Sequence, residues 1–319
     1  MLFRDIIPHI SAIGYYEKKF FSAFFQNLFL TLHGHRFIIL LFSSSFLLMQ
    51  ERNSNMKKIA FFDIDGTLTS ELDGSIPESA VRAIRKSREN GNLMFINTGR
   101  CFQNVEERFR RIGFDGYVCG CGTNIYCDGR DVLYVPQTHS VIMRILEQAR
   151  KVNVDILFES RKEVCFDTSR PLRHPGAIRQ YQAFLDRNYT MPEDLENPNF
   201  FSDKFVIWYE EPWQLALFRE VSDQYFSCID RGGTFREFVP IGYSKATGIA
   251  FVLQYYRLTK DDAYAFGDSN NDLPMLSCLK NSVVMGNASP ASLFEKAAYV
   301  TANASADGIR LALEHFHFC

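Results

Sequence analysis

Two aspartates stand one residue apart where an apolar run ends, in Phe61-Phe62-Asp63-Ile64-Asp65-Gly66-Thr67-Leu68. Alternate residues of a strand point to opposite sides, but where the strand ends and the chain turns, both carboxylates can converge on one pocket. Gly66 lets the backbone approach a ligand closely. Two neighbouring carboxylates with no His or Ser beside them suit a hard divalent cation and a carboxylate nucleophile. That chemistry is phosphoryl transfer.

Further polar groups follow later apolar runs. Thr98 and Gly99 come after Leu93-Met94-Phe95-Ile96-Asn97, and Asp268, Asn271 and Asp272 come after Ala263-Tyr264-Ala265-Phe266. Lys245 opens the helical stretch that leads into this last run. In an open parallel sheet, ligands bind at the carboxyl ends of the strands. The set is charge-matched to a phosphate plus Mg2+, which prefers oxygen ligands. A carboxylate nucleophile is repelled by a phosphate dianion unless cations intervene; the metal and Lys245 supply that screening. The second carboxyl of Asp-x-Asp can protonate the leaving oxygen and later take a proton from the attacking water.

The elements that must position these groups alternate in type. From Met56 onward, short apolar runs alternate with helical patterns, which predicts parallel βαβ units. A strand is expected over residues 58–63 and a helix over 76–90, with Ser75 and Glu78 as a capping box, Pro77 in its first turn and Gly91 at its end. A second helix is expected over 103–112, a third strand over 117–119, and a hairpin about Asp128-Gly129. Between Pro136 and Pro240 the order of helices and strands becomes α+β, which reads as a second domain, 137–239, inserted into a core of 56–136 and 240–319. Helices are expected over 273–279, 290–296 and 307–316, with a strand over 282–285.

Composition narrows the function classes. The chain has 319 residues, enough for one large domain or two ordinary ones, and Lys plus Arg (35) nearly equals Asp plus Glu (37). That balance lacks the basic footprint of a nucleic-acid binder, and no protein partner is indicated. Cys119, Cys121 and Cys127 cluster, but no second Cys-x-x-Cys or His pair completes a zinc site. Reduced thiols in a cytoplasmic protein are expected. Residues 1–55 differ: they are rich in Phe and Leu and poor in acids. Their apolar run, Phe37 to Met49 behind Arg36, falls short of the roughly 18 to 20 residues that span a bilayer. The favoured account is a translation start at Met56, leading directly into the first strand; if residues 1–55 are translated, a signal-like segment, without a convincing small-residue cleavage site, or an interfacial segment is the other reading.

The motifs Asp-Ile-Asp-Gly-Thr-Leu, Asn-Thr-Gly-Arg, Ser-Lys-Ala-Thr-Gly-Ile and Gly-Asp-Ser-Asn-Asn-Asp resemble, in order and placement, those of the haloacid dehalogenase superfamily, and its Cof-type phosphatases in particular. Met285-Gly286-Asn287-Ala288 resembles the loop that follows the fourth motif in that group. The resemblance covers about residues 56–314 and implies an α/β fold, a Rossmann-like parallel-sheet core with an inserted α+β cap domain. It implies that Asp63 attacks phosphorus to form an aspartyl-phosphate and that Asp65 is the general acid/base. Asp63, the backbone carbonyl of Asp65 and Asp268 would hold Mg2+. Thr98, Lys245 and Asn271 would bind phosphate oxygens, with Gly66, Thr67 and Gly99 shaping the loops around them, and Asp272 would support Lys245 or a metal-bound water. The expected substrate is a small-molecule phosphate ester, a sugar phosphate or similar.

One departure stands out: Cys121-Gly122-Thr123 occurs where relatives usually carry Asn-Gly-Ala, and cysteine hydrogen-bonds weakly. Phosphosugar mutases share the aspartates and pass the phosphoryl group to a second sugar hydroxyl, so a mutase stays open, as does a phosphate-sensing module. A dehalogenase is disfavoured, because halide needs no proton from Asp65. In the inserted segment Phe166, Arg170, Arg173, His174, Lys204 and Trp208 are candidates to touch the leaving group.

Overall fold

The computed structural model describes residues 57–189, 191–192 and 194–319; the expectations for residues 1–55 and for a start at Met56 lie outside the described residues. The chain runs β1 (Ile59–Phe62), α1 (Glu78–Glu89), β2 (Leu93–Asn97), α2 (Glu107–Arg110), β3 (Gly116–Cys119), β4 (Asn124–Cys127) and β5 (Arg130–Tyr134). Next come α3 (His139–Val152), β6 (Asp155–Glu159), β7 (Val164–Phe166), α4 (Pro175–Asp186), β8 (Lys204–Trp208), α5 (Pro212–Ser222), β9 (Phe226–Asp230) and β10 (Phe235–Pro240). It closes with α6 (Lys245–Tyr256), β11 (Ala263–Ser269), α7 (Leu273–Cys278), β12 (Asn281–Ser289), β13 (Tyr299–Val300) and α8 (Gly308–His315).

Eight strands form one sheet in the order β13-β12-β11-β1-β2-β3-β4-β5. Pairing is parallel from β13 to β3 and antiparallel through the β3-β4-β5 meander. β1 is buried at every residue because both its faces are covered. Ala60 and Phe62 pack with α1 and α8 residues such as Ile84 and Leu313, while Ile59 and Phe61 pack on the other side with Ile249 and Val252 of α6. The chain runs from β1 out to β2 and β3, then returns to β11 on the opposite side of β1. That reversal opens a crevice at the carboxyl ends of β1 and β11.

The second sheet, β7-β6-β8-β10-β9, is antiparallel and built from the segment between β5 and α6. The expected α/β class with an inserted α+β unit is thus what the chain forms. Residues of period two face α3 and α5, among them Ile156, Phe158, Phe205 and Ile207. The alternate set, Leu157, Val206, Trp208 and Phe235, packs with Phe166 and with Phe184 of α4.

Three local expectations are corrected. Residues 103–112 form a 3-10 turn (Phe102–Asn104) and the single turn α2, not one helix. Val105 between them is extended (φ −81°, ψ 102°), and Arg100 Nη1 takes the Asn104 carbonyl at 3.3 Å that a continuous helix would use. The capping box at α1 does not form: Pro77 is the cap residue and the Ser75 hydroxyl donates to Asp73 at 2.7 Å. Residues Ala291–Lys296 form a 3-10 helix, and the two-residue β13 escapes any reading by periodicity. The Asp128-Gly129 hairpin turn holds, with φ of 51° and 73°.

Candidate active site

β1 delivers Asp63 into the crevice, and the chain then coils tightly through Ile64–Leu68. Gly66 turns that coil at φ +80°, and a Cβ there would sit 2.3 Å from Asp268 Oδ2, so only glycine fits. Asn287 Nδ2 donates to the Gly66 carbonyl at 2.7 Å, while Asn287 Oδ1 accepts from the Ala304 amide at 2.9 Å. The loop after β12 therefore pins the loop after β1. Thr67 uses its hydroxyl on Asp268 Oδ1 at 2.8 Å and is buried.

Lys245 begins α6, where Ser244 forms a capping box with Thr247. Its side chain is 0% exposed, and Nζ lies 2.6 Å from both Asp63 Oδ1 and Asp272 Oδ1. Asp272 Oδ2 accepts from the amides of Asp268 (2.9 Å) and Ser269 (3.0 Å), so both its oxygens serve to hold Lys245 and the β11 loop. Burial opposes the charged lysine, but Asp272 and Asp63 outweigh it and hold its pKa above the lysine range. Burial, reinforced by Asp272, pushes Asp63 up to about 6 although Lys245 pulls the other way. Burial and the neighbouring Asp63 push Asp268 up to about 8.

Carboxylate oxygens of Asp63, Asp268 and Asp272 lie within 4.8 Å of one another, a cluster of hard oxygen donors fit for a divalent cation. The sequence set of Asp63, Asp65 and Asp268 overlaps this cluster at two positions. The Asp65 side chain points elsewhere: Arg100 Nη2 meets its Oδ1 at 2.5 Å and Arg100 Nε its Oδ2 at 3.0 Å. Burial would raise Asp65, but this bidentate pair prevails and holds its carboxyl below the usual range.

Asp63, Asp65, Thr98, Gly99, Arg100 and Asn271 share a cleft of about 270 Å³ with residues of the second sheet. Thr98 Oγ1 accepts from the Arg100 amide at 3.2 Å, and Asn271 Oδ1 from Ser269 Oγ at 2.5 Å. The opposite wall is the cleft-facing side of β6, β8 and β10. Glu159 pairs across the strands with Lys204, and Glu237 comes from the next strand. Lys204 Nζ lies 2.6 Å from Glu159 Oε2 and 2.5 Å from Glu237 Oε1. Trp208 stacks between Phe166 (5.9 Å) and Phe235 (5.0 Å) beside this charged trio.

Of the residues named as leaving-group contacts, Lys204 and Trp208 reach the cleft, and Phe166 lies behind Trp208. Arg170, Arg173 and His174 do not line it. The first pairs with Asp155 at 3.5 Å, the amides of the other two donate to Asp155 Oδ2, and the His174 ring caps α4. Glu159, Gln180, Arg187, Arg231 and Glu237 line it without having been singled out. Cys121 is buried, with its thiol 3.6 Å from Glu237 Oε1 and φ at 55°. Asparagine tolerates that left-handed backbone better than cysteine does, a physical reason for its usual presence there.

A family model described as haloacid dehalogenase-like hydrolase matches residues 60–313. YkrA of Bacillus subtilis (strain 168) is 29% identical over 262 residues, covering 81% of this chain and 96% of that protein. The HMP-PP phosphatase of Yersinia enterocolitica is 26% identical over 245 residues, covering 74% and 86%. Among solved structures, BT1666 from Bacteroides thetaiotaomicron, named among the phosphatases of the superfamily, aligns with a TM-score of 0.71 at 25% identity over 84% of this chain and 98% of its own. A strand-end aspartate pair, a buried lysine between acids and an inserted antiparallel sheet, together with a family match over most of its length, place the chain among the haloacid dehalogenase-like hydrolases, in their Cof-type phosphatase branch.

Proposed function

We propose that this chain is a Mg2+-dependent phosphatase that hydrolyses phosphate monoesters of small metabolites through an aspartyl-phosphate on Asp63. The observation that carries the reading is Lys245 locked between Asp63 and Asp272, with Asp63 itself lining a cleft that has room for a small ester. Asp63 and Asp268, with the backbone carbonyl of Asp65, would hold the cation. When bound, it screens the carboxylate from the phosphate and favours charge developing on the transferring oxygens.

Asp63 attacks phosphorus, the ester P–O bond breaks, and the leaving oxygen takes a proton from Asp65. The Arg100 pair keeps Asp65 ionised, so to act as the acid it turns from Arg100 toward the leaving group and first takes up a proton from water. Water then attacks the aspartyl-phosphate, gives its proton to Asp65 and releases inorganic phosphate, which restores Asp63. Thr98, Lys245 and Asn271 bind phosphoryl oxygens, and Gly66, Thr67 and Gly99 shape their loops. Asp272 fixes Lys245. Residues 137–239 form the cap that chooses the substrate: Trp208 and Phe235 offer an apolar face, and Glu159, Lys204 and Glu237 offer hydrogen bonds to the hydroxyls of a sugar phosphate or similar ester. Eight free cysteines suit a reducing cytoplasm, and no described helix is long and apolar enough to cross a membrane.

The test is phosphate release from a panel of small esters with and without Mg2+, together with Asp63→Asn. Magnesium-dependent release by the wild type and its loss in a folded Asp63→Asn variant are expected. Full activity in that variant would remove the nucleophile assignment, and transfer to a second sugar without net release would favour a mutase.

A further inference from the structure

Among the described residues, four cations line the cleft, and three are committed elsewhere. Arg100 gives its guanidinium to Asp65, Glu106 and the Asn104 carbonyl. Lys204 is enclosed by Glu159 and Glu237. Arg187 sits toward the outside, its side chain 44% exposed and 3.5 Å from Glu106. Arg231 differs. It follows the last residue of β9, and β9 packs against the Asn270–Asp272 turn that carries Asn271. Its side chain is only 26% exposed, yet its nearest acid, Glu237, is 3.7 Å away, and its guanidinium makes no hydrogen bond among the described residues.

The charge balance says what those donors are for. Asp63, Asp65, Asp268 and Asp272 against Lys245 and Arg100 leave two negative charges at the strand ends. A dication balances them, and a phosphate dianion then adds two more. A partly exposed cation with unused donors, lining the same cleft as Asp63 and Asn271, is where the missing positive charge is found. We infer that Arg231 is a catalytic residue supplied by the inserted domain, its guanidinium binding non-bridging oxygens of the phosphoryl group during transfer. The planar fork of arginine matches two such oxygens at once, as lysine cannot. Electrostatics agree with the placement: after burial and Arg100, Arg231 also acts on the Asp65 carboxyl, and it is itself influenced by Glu237 and then Asp63. On this assignment the cap takes part in the chemistry as well as in substrate choice.

The assignment rests on the phosphatase reading, and its test separates the two. Wild type, Arg231→Gln and Arg231→Lys are assayed with Mg2+ on p-nitrophenyl phosphate and glucose 6-phosphate, and binding of inorganic phosphate is measured by calorimetry. Thermal midpoints confirm folding. Arg231→Gln is expected to lose about ten- to a hundredfold in kcat/KM, by the same factor on both esters, and to weaken phosphate binding similarly, the range for one lost charge-assisted hydrogen bond. Arg231→Lys is expected to recover part of the loss. Unchanged phosphate binding in folded Arg231→Gln, or a loss confined to one ester, overturns the assignment and leaves Arg231 to the leaving group or to the cap's own structure. If the wild type hydrolyses neither ester, the phosphatase reading fails on these substrates, and the phosphate-binding comparison still decides Arg231.

Discussion

The stability of Asp203→Asn relative to the wild type is expected to rise with pH. Asp203 precedes β8, is 0% exposed, and accepts a short hydrogen bond from the Thr123 hydroxyl just ahead of β4, so it ties the inserted segment to the core. Its other oxygen has no partner among the described residues. Burial pushes its pKa from 3.8 up to about 7, against the opposing pull of Thr123 and Lys204. Below pH 4 both folded and unfolded chains carry the proton, and nothing is lost. Between pH 4 and 7 only the folded chain keeps it, so stability falls as pH rises, and above 7 the loss is complete. About three pH units at ~1.36 kcal/mol each give a ceiling of about 4 kcal/mol.

Asparagine keeps an acceptor for Thr123 but never ionises. Its amide lacks a partner where the second carboxylate oxygen stood, at a cost of about 1–3 kcal/mol that is independent of pH. The change between two pH values is therefore the diagnostic, not the absolute difference. Urea unfolding of both proteins at pH 5 and pH 8 should show the stability difference moving in favour of Asp203→Asn by about 2–3 kcal/mol. A difference that stays constant between those pH values refutes the claim that Asp203 is a buried acid with a raised pKa.

Lys204→Met strands Glu159 and Glu237 in the cap and should cost about 3–5 kcal/mol in urea unfolding, most of it recovered when both glutamates are also made glutamine. Gly66→Ala places a methyl against Asp268 at a positive φ, so Mg2+-dependent activity should fall at least tenfold, read as phosphate release. Asp65→Asn should slow esters of poor leaving groups, such as glycerol phosphate, at least tenfold more than p-nitrophenyl phosphate, because a good leaving group needs little proton assistance. Cys121→Asn should raise thermal stability by about 0.5–1 kcal/mol, because asparagine accepts the left-handed backbone at less cost.

The strand-end cluster was legible because its residues sit where apolar runs stop, and a run such as Ile59 to Phe62 announces a strand covered on both faces. Asp63, Asp268 and Lys245 thus come together from patterns readable one segment at a time. The opposite wall of the cleft was not. Glu159, Lys204 and Glu237 lie on three strands and meet only through cross-strand register, which no single segment reveals. Arg170, Arg173 and His174 looked available for a ligand because nothing local showed that Asp155 gathers them. Arg231 sits before Gly232-Gly233 and reads as a turn residue until β9 is seen beside the Asn270–Asp272 turn. The helix expected over 103–112 failed for a related reason: the competing acceptor geometry comes from Arg100, outside the segment.

The face that β6, β8 and β10 turn toward the cleft has a consequence for how this enzyme can diverge. Leu157, Val206, Trp208 and Phe235 line the cleft and also form the smaller apolar cluster that holds α4 on the sheet. An exchange at any of these four positions that reshapes the room for a leaving group also removes or crowds a packing partner of Phe184. New substrate preference in this lineage should therefore arrive in steps of two or more residues, a specificity change accompanied by a repacking change on α4. Libraries that vary the cleft wall alone should yield mostly folding failures, whereas libraries that vary Phe184 and Tyr181 along with it should not.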